Sequence, residues 1–322
     1  MTAELVTTEL VRAEGLTKRH PPRQKGDVGQ LAVDGINFTL KRGEVFGFLG
    51  PNGAGKSSTM RMIACVSPIT DGTLRVFGLD PSRDGRVIRS RLGVVPQDDA
   101  LDVELTVREN LLIYGRYFGL AKPVIAARAA ELLEFAQLTD RADDLVDALS
   151  GGMRRRLTIA RALINEPEVV LLDEPTTGLD PQARHLLWDR LFALKQQGIA
   201  LILTTHYMDE AEQLCDRLVV MDGGRIVASG SPAELITRYA PPEVLELRFG
   251  PGDQQTAHDK IMDAGTTDRV ELLSDRVLWY CGHGETALAT VQELGLTPVT
   301  ALVRRSGLED VFLHLTGRKL VE

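Results

Sequence analysis

Hydrophobic positions fall into three patterns along the chain. LAVDGINFTL (31–40) alternates apolar with polar residues, as a strand with one buried face does, and residues 5–16 read as another strand. Unbroken apolar runs come next: EVFGFLG (44–50), VVLL (169–172) and IALIL (199–203) have the length of strands buried on both faces of a parallel sheet. Helical periodicity fills the intervals. KSSTMRMIAC (56–65) is one helix, residues 100–165 carry others, clearest in LTVRENLLIYGRYFGL and AARAAELLEFAQL, and a further helix spans about 182–197. This alternation predicts a mostly parallel α/β sheet with a helical insertion. HPPRQKGDVGQ (20–30), rich in Pro, Gly and charge, is expected to be a surface loop.

The pattern shifts near Ala240-Pro241-Pro242, which places a boundary between a domain at 1–240 and a smaller one at 241–322. The second predicts strand (243–249), helix (254–264), hairpin (270–273 and 277–281), helix (284–294) and strand (298–304), then a helix over 307–316. The order β-α-β-β-α-β is that of a ferredoxin-like unit, a small α+β domain. In the last helix Leu308, Val311, Phe312 and Leu315 form an i, i+3, i+4, i+7 stripe, suited to the small domain's core or to a second copy.

Composition narrows the function. The 322 residues suit two domains, and 43% hydrophobic residues suffice for packed cores. Asp and Glu outnumber Lys and Arg by 45 to 37, a net charge of −8, which argues against nucleic acid as a partner. Cys65, Cys215 and Cys281 lie far apart with no metal-like spacing, as free thiols in a reducing cytosol do. MTAELVTTEL has no signal-peptide pattern, and no stretch approaches the roughly 18 apolar residues that cross a bilayer.

The candidate chemistry begins at GPNGAGKS (50–57), a G-x-x-x-x-G-K-S loop between a strand and a helix, whose amides can curl around nucleotide phosphates. Lys56 would reach the β- and γ-phosphates and Ser57 would ligate Mg²⁺. VVLLDE ends in Asp173, a candidate Mg²⁺ holder, and Glu174, which can polarise a water for attack; the plainer reading is a polar strand end before Pro175. LSGGM (149–153) opens the helix MRRRLTIARALI. It is either a simple serine N-cap or a second anion site serving the same nucleotide from another copy.

Together GPNGAGKSS, LSGGM, VVLLDEPTTGLD and LILTTH resemble, in order and over residues 5–235, the ATP-binding subunit of an ATP-binding-cassette (ABC) transporter. TTGLDPQARHLLWDRL and the tail LEDVFLHLTGRKL resemble the nodulation-factor and daunorubicin-resistance exporter group. The resemblance implies a P-loop NTPase cassette with a mostly parallel core, an antiparallel β subdomain and an α-helical subdomain, plus the small C-terminal domain. It implies ATP and Mg²⁺ as ligands. The nucleotide would sit on Gly50, Pro51, Asn52, Gly53, Ala54, Gly55, Lys56, Ser57 and Ser58. Gln97 would touch Mg²⁺ or the attacking water, His206 the γ-phosphate, and His20 would replace the usual adenine-stacking tyrosine. Ser150, Gly151, Gly152 and Asp180 would act across a dimer, with Met153 standing where Gln is common. A homodimer at the cytoplasmic face of the membrane would then drive a separate permease docked near Gln97 and residues 100–120, where Tyr114, Tyr117 and Phe118 lie, exporting a drug, lipid or (lipo)oligosaccharide. The rival is a soluble cassette of the translation or repair type, or a regulatory ATP-binding module. The former usually has two cassettes or a long coiled coil, and neither pattern is present.

Overall fold

The computed structural model describes residues 9–22, 29–250 and 252–317, in two compact units, Met1–Ser229 and Gly230–Glu322. The first opens with β1 (Glu9–Arg19) and β2 (Leu31–Lys41), paired antiparallel. The strand read from residue 5 is seen from Glu9 and runs on to Arg19; its first residues lie outside the described ones. A bond from the His20 amide to the Gln30 carbonyl (2.8 Å) closes the base of the intervening loop, of which 23–28 lie outside the described residues.

Then come β3 (Val45–Leu49), α1 (Lys56–Ile63), β4 (Asp71–Val76), α2 (Gly85–Ser90) and β5 (Leu92–Val95). The region read as broadly helical resolves into α3 (Val107–Tyr117), α4 (Lys122–Phe135) and α5 (Gly151–Ala162). Thr106 and Glu109 start α3 with a capping box that satisfies two backbone amides. β6 (Val169–Asp173), α6 (Pro181–Gln196), β7 (Ala200–Thr205), α7 (Met208–Leu214), β8 (Arg217–Asp222) and β9 (Arg225–Gly230) follow.

Two sheets result. One has the order β2-β1-β4 and is antiparallel; the other has the order β5-β6-β7-β3-β8-β9, parallel from β5 through β8. Both contribute to one core with α1. Phe38 of β2 lies 5.7 Å from Phe46 and 5.1 Å from Phe48 of β3, between ring centroids, and Met60, Met62 and Ile63 of α1 join them. Each such side chain contributes about 1.5–3 kcal/mol by burial. A separate core of Val107, Leu111, Ala129, Leu133 and Leu157 holds the three-helix insertion together.

Parallel register sets up the chemistry. Leu49 pairs with Thr205 and Asp173 with Thr204, so β3, β6 and β7 end in one row. The next residues, Gly50, Glu174 and His206, emerge together at the carboxyl edge, where open α/β sheets place their ligands.

The second unit contains α8 (Pro232–Tyr239), β10 (Glu243–Arg248), α9 (Asp253–Asp263), β11 (Arg269–Leu272), β12 (Val277–Cys281), α10 (Gly284–Glu293), β13 (Thr300–Arg305) and α11 (Leu308–Thr316). Its sheet is antiparallel with the order β11-β12-β10-β13, which in chain order is 2-3-1-4, with β-α-β-β-α-β connectivity. The contacts divide the chain before α8 rather than after it, because α8 packs on α11. Arg304 clamps Asp310 through two bonds (2.7 and 2.9 Å), tying α11 to β13. Leu308, Val311 and Phe312 are buried, and Leu315 half-buried.

Candidate functional site

β3 is apolar and buried at every position because neighbours cover both its faces. The turn it enters admits only minimal side chains at two points. A Cβ on Gly50 would meet the Met221 carbonyl oxygen at 2.3 Å, and one on Gly55, whose φ is 102°, would meet the Ala32 carbonyl oxygen at 2.3 Å. Past Gly55, α1 starts with no side-chain cap and no acidic residue in its first turn. Its leading amides and dipole therefore favour an anion. A cavity of about 410 Å³ opens there, lined by His20, Gln30, Ala32, residues 52–58, Gln97 and Glu174.

Lys56 is 4% exposed, and its Nζ donates to the carbonyls of Gly50 (2.7 Å) and Pro51 (3.0 Å). Burial pulls its pKa below the ordinary lysine value, while the fields of Glu174 and Asp173 pull it back up. Asp173 Oδ1 accepts from Ser57 Oγ (3.1 Å) and from Thr204 Oγ1 (2.5 Å), linking β6 to α1 and β7.

Glu174 gathers the rest. Its backbone is left-handed (φ 45°), a strained state for a side chain of this size, and its amide donates to Thr204 at the carbonyl (3.1 Å) and at Oγ1 (3.0 Å). Oε2 accepts from Gln97 Nε2 (3.2 Å) and Thr177 Oγ1 (3.3 Å); Oε1 lies 3.9 Å from Lys56 Nζ and 3.4 Å from His206 Nδ1. The imidazole contact lacks hydrogen-bond alignment, and the ring rests on Tyr207 with centroids 4.1 Å apart. His20 Nε2 is 3.1 Å from Ser58 Oγ at the rim.

The structure thus brings together the loop residues 50–58, His20, Gln97, Asp173, Glu174 and His206. It does not bring in Ser150, Gly151, Gly152 or Asp180. Ser150 caps α5 by accepting from the Met153 amide (3.3 Å), Asp180 caps α6 by accepting from the Ala183 amide (2.9 Å), and none of these four lines the cavity. Three functional candidates escape the motif reading: Thr204, Glu210 and Arg155. Arg155 stands in a run of three arginines that the motifs do not single out, yet with Thr158, Ile159 and Ala162 it forms the buried i, i+3, i+4, i+7 face of α5. That spacing was the available signal.

Among the described residues no three His, Cys, Asp or Glu side chains converge as a metal cage. What Asp173 and Ser57 offer are hard oxygens, one carboxylate and one hydroxyl, a set that suits Mg²⁺ completed by phosphate oxygens and water.

The ABC transporter family profile matches residues 33–177, and the profile described as nodulation factor export protein NodI, C-terminal domain, matches 254–317. The chain is 46% identical to a Nod factor export ATP-binding protein I of Ralstonia nicotianae over 318 residues, covering 98% of this chain and 96% of that protein. A protein of the same name from Paraburkholderia xenovorans is 48% identical over 291 residues, 90% of this chain and 94% of that one. Among solved structures, the ATP-binding cassette MJ0796, in a dimeric post-hydrolysis state bound to ADP and Pi, is 27% identical with a TM-score of 0.63, covering 69% of this chain and 98% of that one. Another, cbiO1 from Clostridium perfringens, part of the ABC transporter complex cbiONQ, is 30% identical with a TM-score of 0.64, covering 71% and 91%.

Proposed function

The chain belongs to the ABC transporter family of ATP-binding proteins and is an ATP-hydrolysing export subunit, and we propose that two copies close head to tail on two Mg-ATP molecules to drive a separate membrane permease. The observation that carries this is the split site: the Glu174 carboxylate meets Lys56 and Gln97 in one cavity and has His206 beside it, while Ser150 and Asp180 lie outside that cavity. A nucleotide held by residues 50–58 would leave its outer phosphate oxygens for the α5 start of the second copy.

In this reading the loop amides and Lys56 bind the phosphates. Ser57, Asp173 and the amide oxygen of Gln97 would hold Mg²⁺, whose chemistry is to neutralise charge on the β- and γ-phosphates. Glu174 accepts a proton from the attacking water at its carboxylate, Gln97 orients that water, and His206 donates to the γ-phosphate. His20 stacks on the adenine at the rim. Bound ATP favours the closed pair, and its cleavage removes that preference.

No helix among the described residues is long and apolar enough to cross a membrane. We place the permease contact in a groove of about 710 Å³ between the segment after β5 and α3, lined by Leu101, Val103, Ile113, Tyr114 and Tyr117. Tyr117 is 78% exposed there and Val103 46%. The subunit would sit at the cytoplasmic face, and the name of its relatives favours a Nod factor type of cargo over a drug.

Light scattering on the purified full chain tests the reading. Glu174→Gln with Mg-ATP is expected to accumulate dimer, with hydrolysis down by about 10²–10⁴-fold. A chain that binds Mg-ATP and stays monomeric with cleavage blocked overturns it.

A further inference from the structure

One turn into α5, Arg155 points inward and is 5% exposed. A guanidinium carries five N–H donors in a fixed plane. Here each bond goes to a main-chain carbonyl. Nε donates to Pro175 (2.8 Å), Nη1 to Pro96 (2.5 Å) and Gln97 (3.3 Å), and Nη2 to Asp173 (3.0 Å) and Glu174 (3.2 Å). Among the described residues no carboxylate forms an ion pair with it. Burial pushes its pKa down, and the fields of Asp99, Glu210 and Asp173 oppose that push. A buried cation with carbonyls as its direct partners defines positions rather than a charge pair.

Those positions belong to two segments. One is Pro96-Gln97 after β5; the other is Asp173-Glu174-Pro175 at the end of β6. The side chains they carry, Gln97 and Glu174, touch at 3.2 Å. Glu174 also needs restraint, since its left-handed backbone is held by Thr204 at the amide and by Arg155 at the carbonyl. The helix that supplies Arg155 is the one whose first turn is capped by Ser150.

We propose that Arg155 is a positioning residue of ATP hydrolysis, tying the start of α5 to the backbones of Gln97 and Glu174, so that engagement of Ser150 by the second copy's nucleotide is registered at this copy's own carboxylate. The inference rests on the split-site reading above. It makes the two sites of a dimer communicate through one rigid side chain.

The test uses the full chain. Lysine keeps the charge but donates from a single atom and cannot reach five carbonyls. Arg155→Lys and Arg155→Gln are therefore both expected to bind ATP within about threefold of the parent while kcat falls about 10²-fold, the loss typical of a misplaced catalytic group. A folded Lys variant with the parent kcat overturns the assignment. A second arm needs no change at Arg155: a mixed dimer of parent and Ser150→Phe copies, isolated through two different affinity tags. Communication predicts a rate below about a tenth of the parent dimer, within the usual range of site coupling. A rate of half, one site working alone, overturns the communication. Should the Ser150→Phe homodimer hydrolyse at the parent rate, the split-site reading itself fails, and that outcome is distinct from the other two.

Discussion

The starts of α1 and α5 are built from the same material and meet different surroundings. Each has glycine at or next to its N-cap, Gly55 at α1 and Gly151 at α5, and neither has an acidic residue in its first turn. At α1 the N-cap is Gly55, no side chain covers the amides, and a lysine and a carboxylate close the cavity around them. At α5 the N-cap is Ser150, which satisfies one amide itself, and Ser150 and Gly151 are exposed. At α1 the donors face a walled cavity, and at α5 they face open surface, the contrast on which the proposed head-to-tail pair rests.

The largest expected effect breaks the walled end. Lys56→Ala should reduce phosphate release by about 10²–10³-fold and weaken ATP binding by the monomer, since the buried cation proposed to meet the phosphates is lost. Breaking the open end should look different. Ser150→Phe should lower hydrolysis by about 10²-fold yet leave ATP binding to the monomer within about twofold, measured by equilibrium titration. If binding by the monomer falls as well, the two helix starts share one cavity and the comparison collapses.

A smaller effect concerns what underlies the walled end. Glu210 of α7 is fully buried, its two carboxylate oxygens without a hydrogen-bond partner among the described residues, and burial pushes its pKa from 4.5 to about 7 while the nearby hydroxyls of Thr205 and Thr176 oppose the push. In the folded chain it therefore holds a proton that the unfolded chain releases at lower pH. Its contribution is fully present below about pH 4.5 and is lost as pH rises through about 7, at most about 3 kcal/mol across the window. Glu210→Gln should remove that slope. Parent Tm should fall relative to the variant between pH 5 and 8, and parallel curves would refute the assignment. The smallest change is at the rim: His20→Ala should weaken ATP affinity by about fivefold, the value of one aromatic contact, and equal affinities would remove His20 from the adenine.

How much was legible depends on how local the signal is. The phosphate-loop motif at 50–57 announces itself because the strand before it, the glycines and the helix after it are contiguous. Asp173 and Glu174 likewise close an apolar run. The element order after residue 241 was readable from alternation alone, to within a few residues at each end. Three features depend on partners distant in sequence and were not readable, although the helical spacing around Arg155 signals its burial. Arg155 acts on carbonyls of residues 96–97 and 173–175, which no local pattern around it indicates. The division at 229/230 was hidden because α8 packs on α11, far along the chain. The 3.2 Å contact between Gln97 and Glu174 links two loops that only the parallel register aligns.

The two carbonyls that already grip Lys56 have a consequence for turnover. In the proposed reading, a nucleotide taken up by the loop would have to displace the Gly50 and Pro51 carbonyls from the ammonium, so part of its attraction for Lys56 would offset the loss of those two bonds. With the outer phosphate gone, the same carbonyls would be within reach to take the ammonium back.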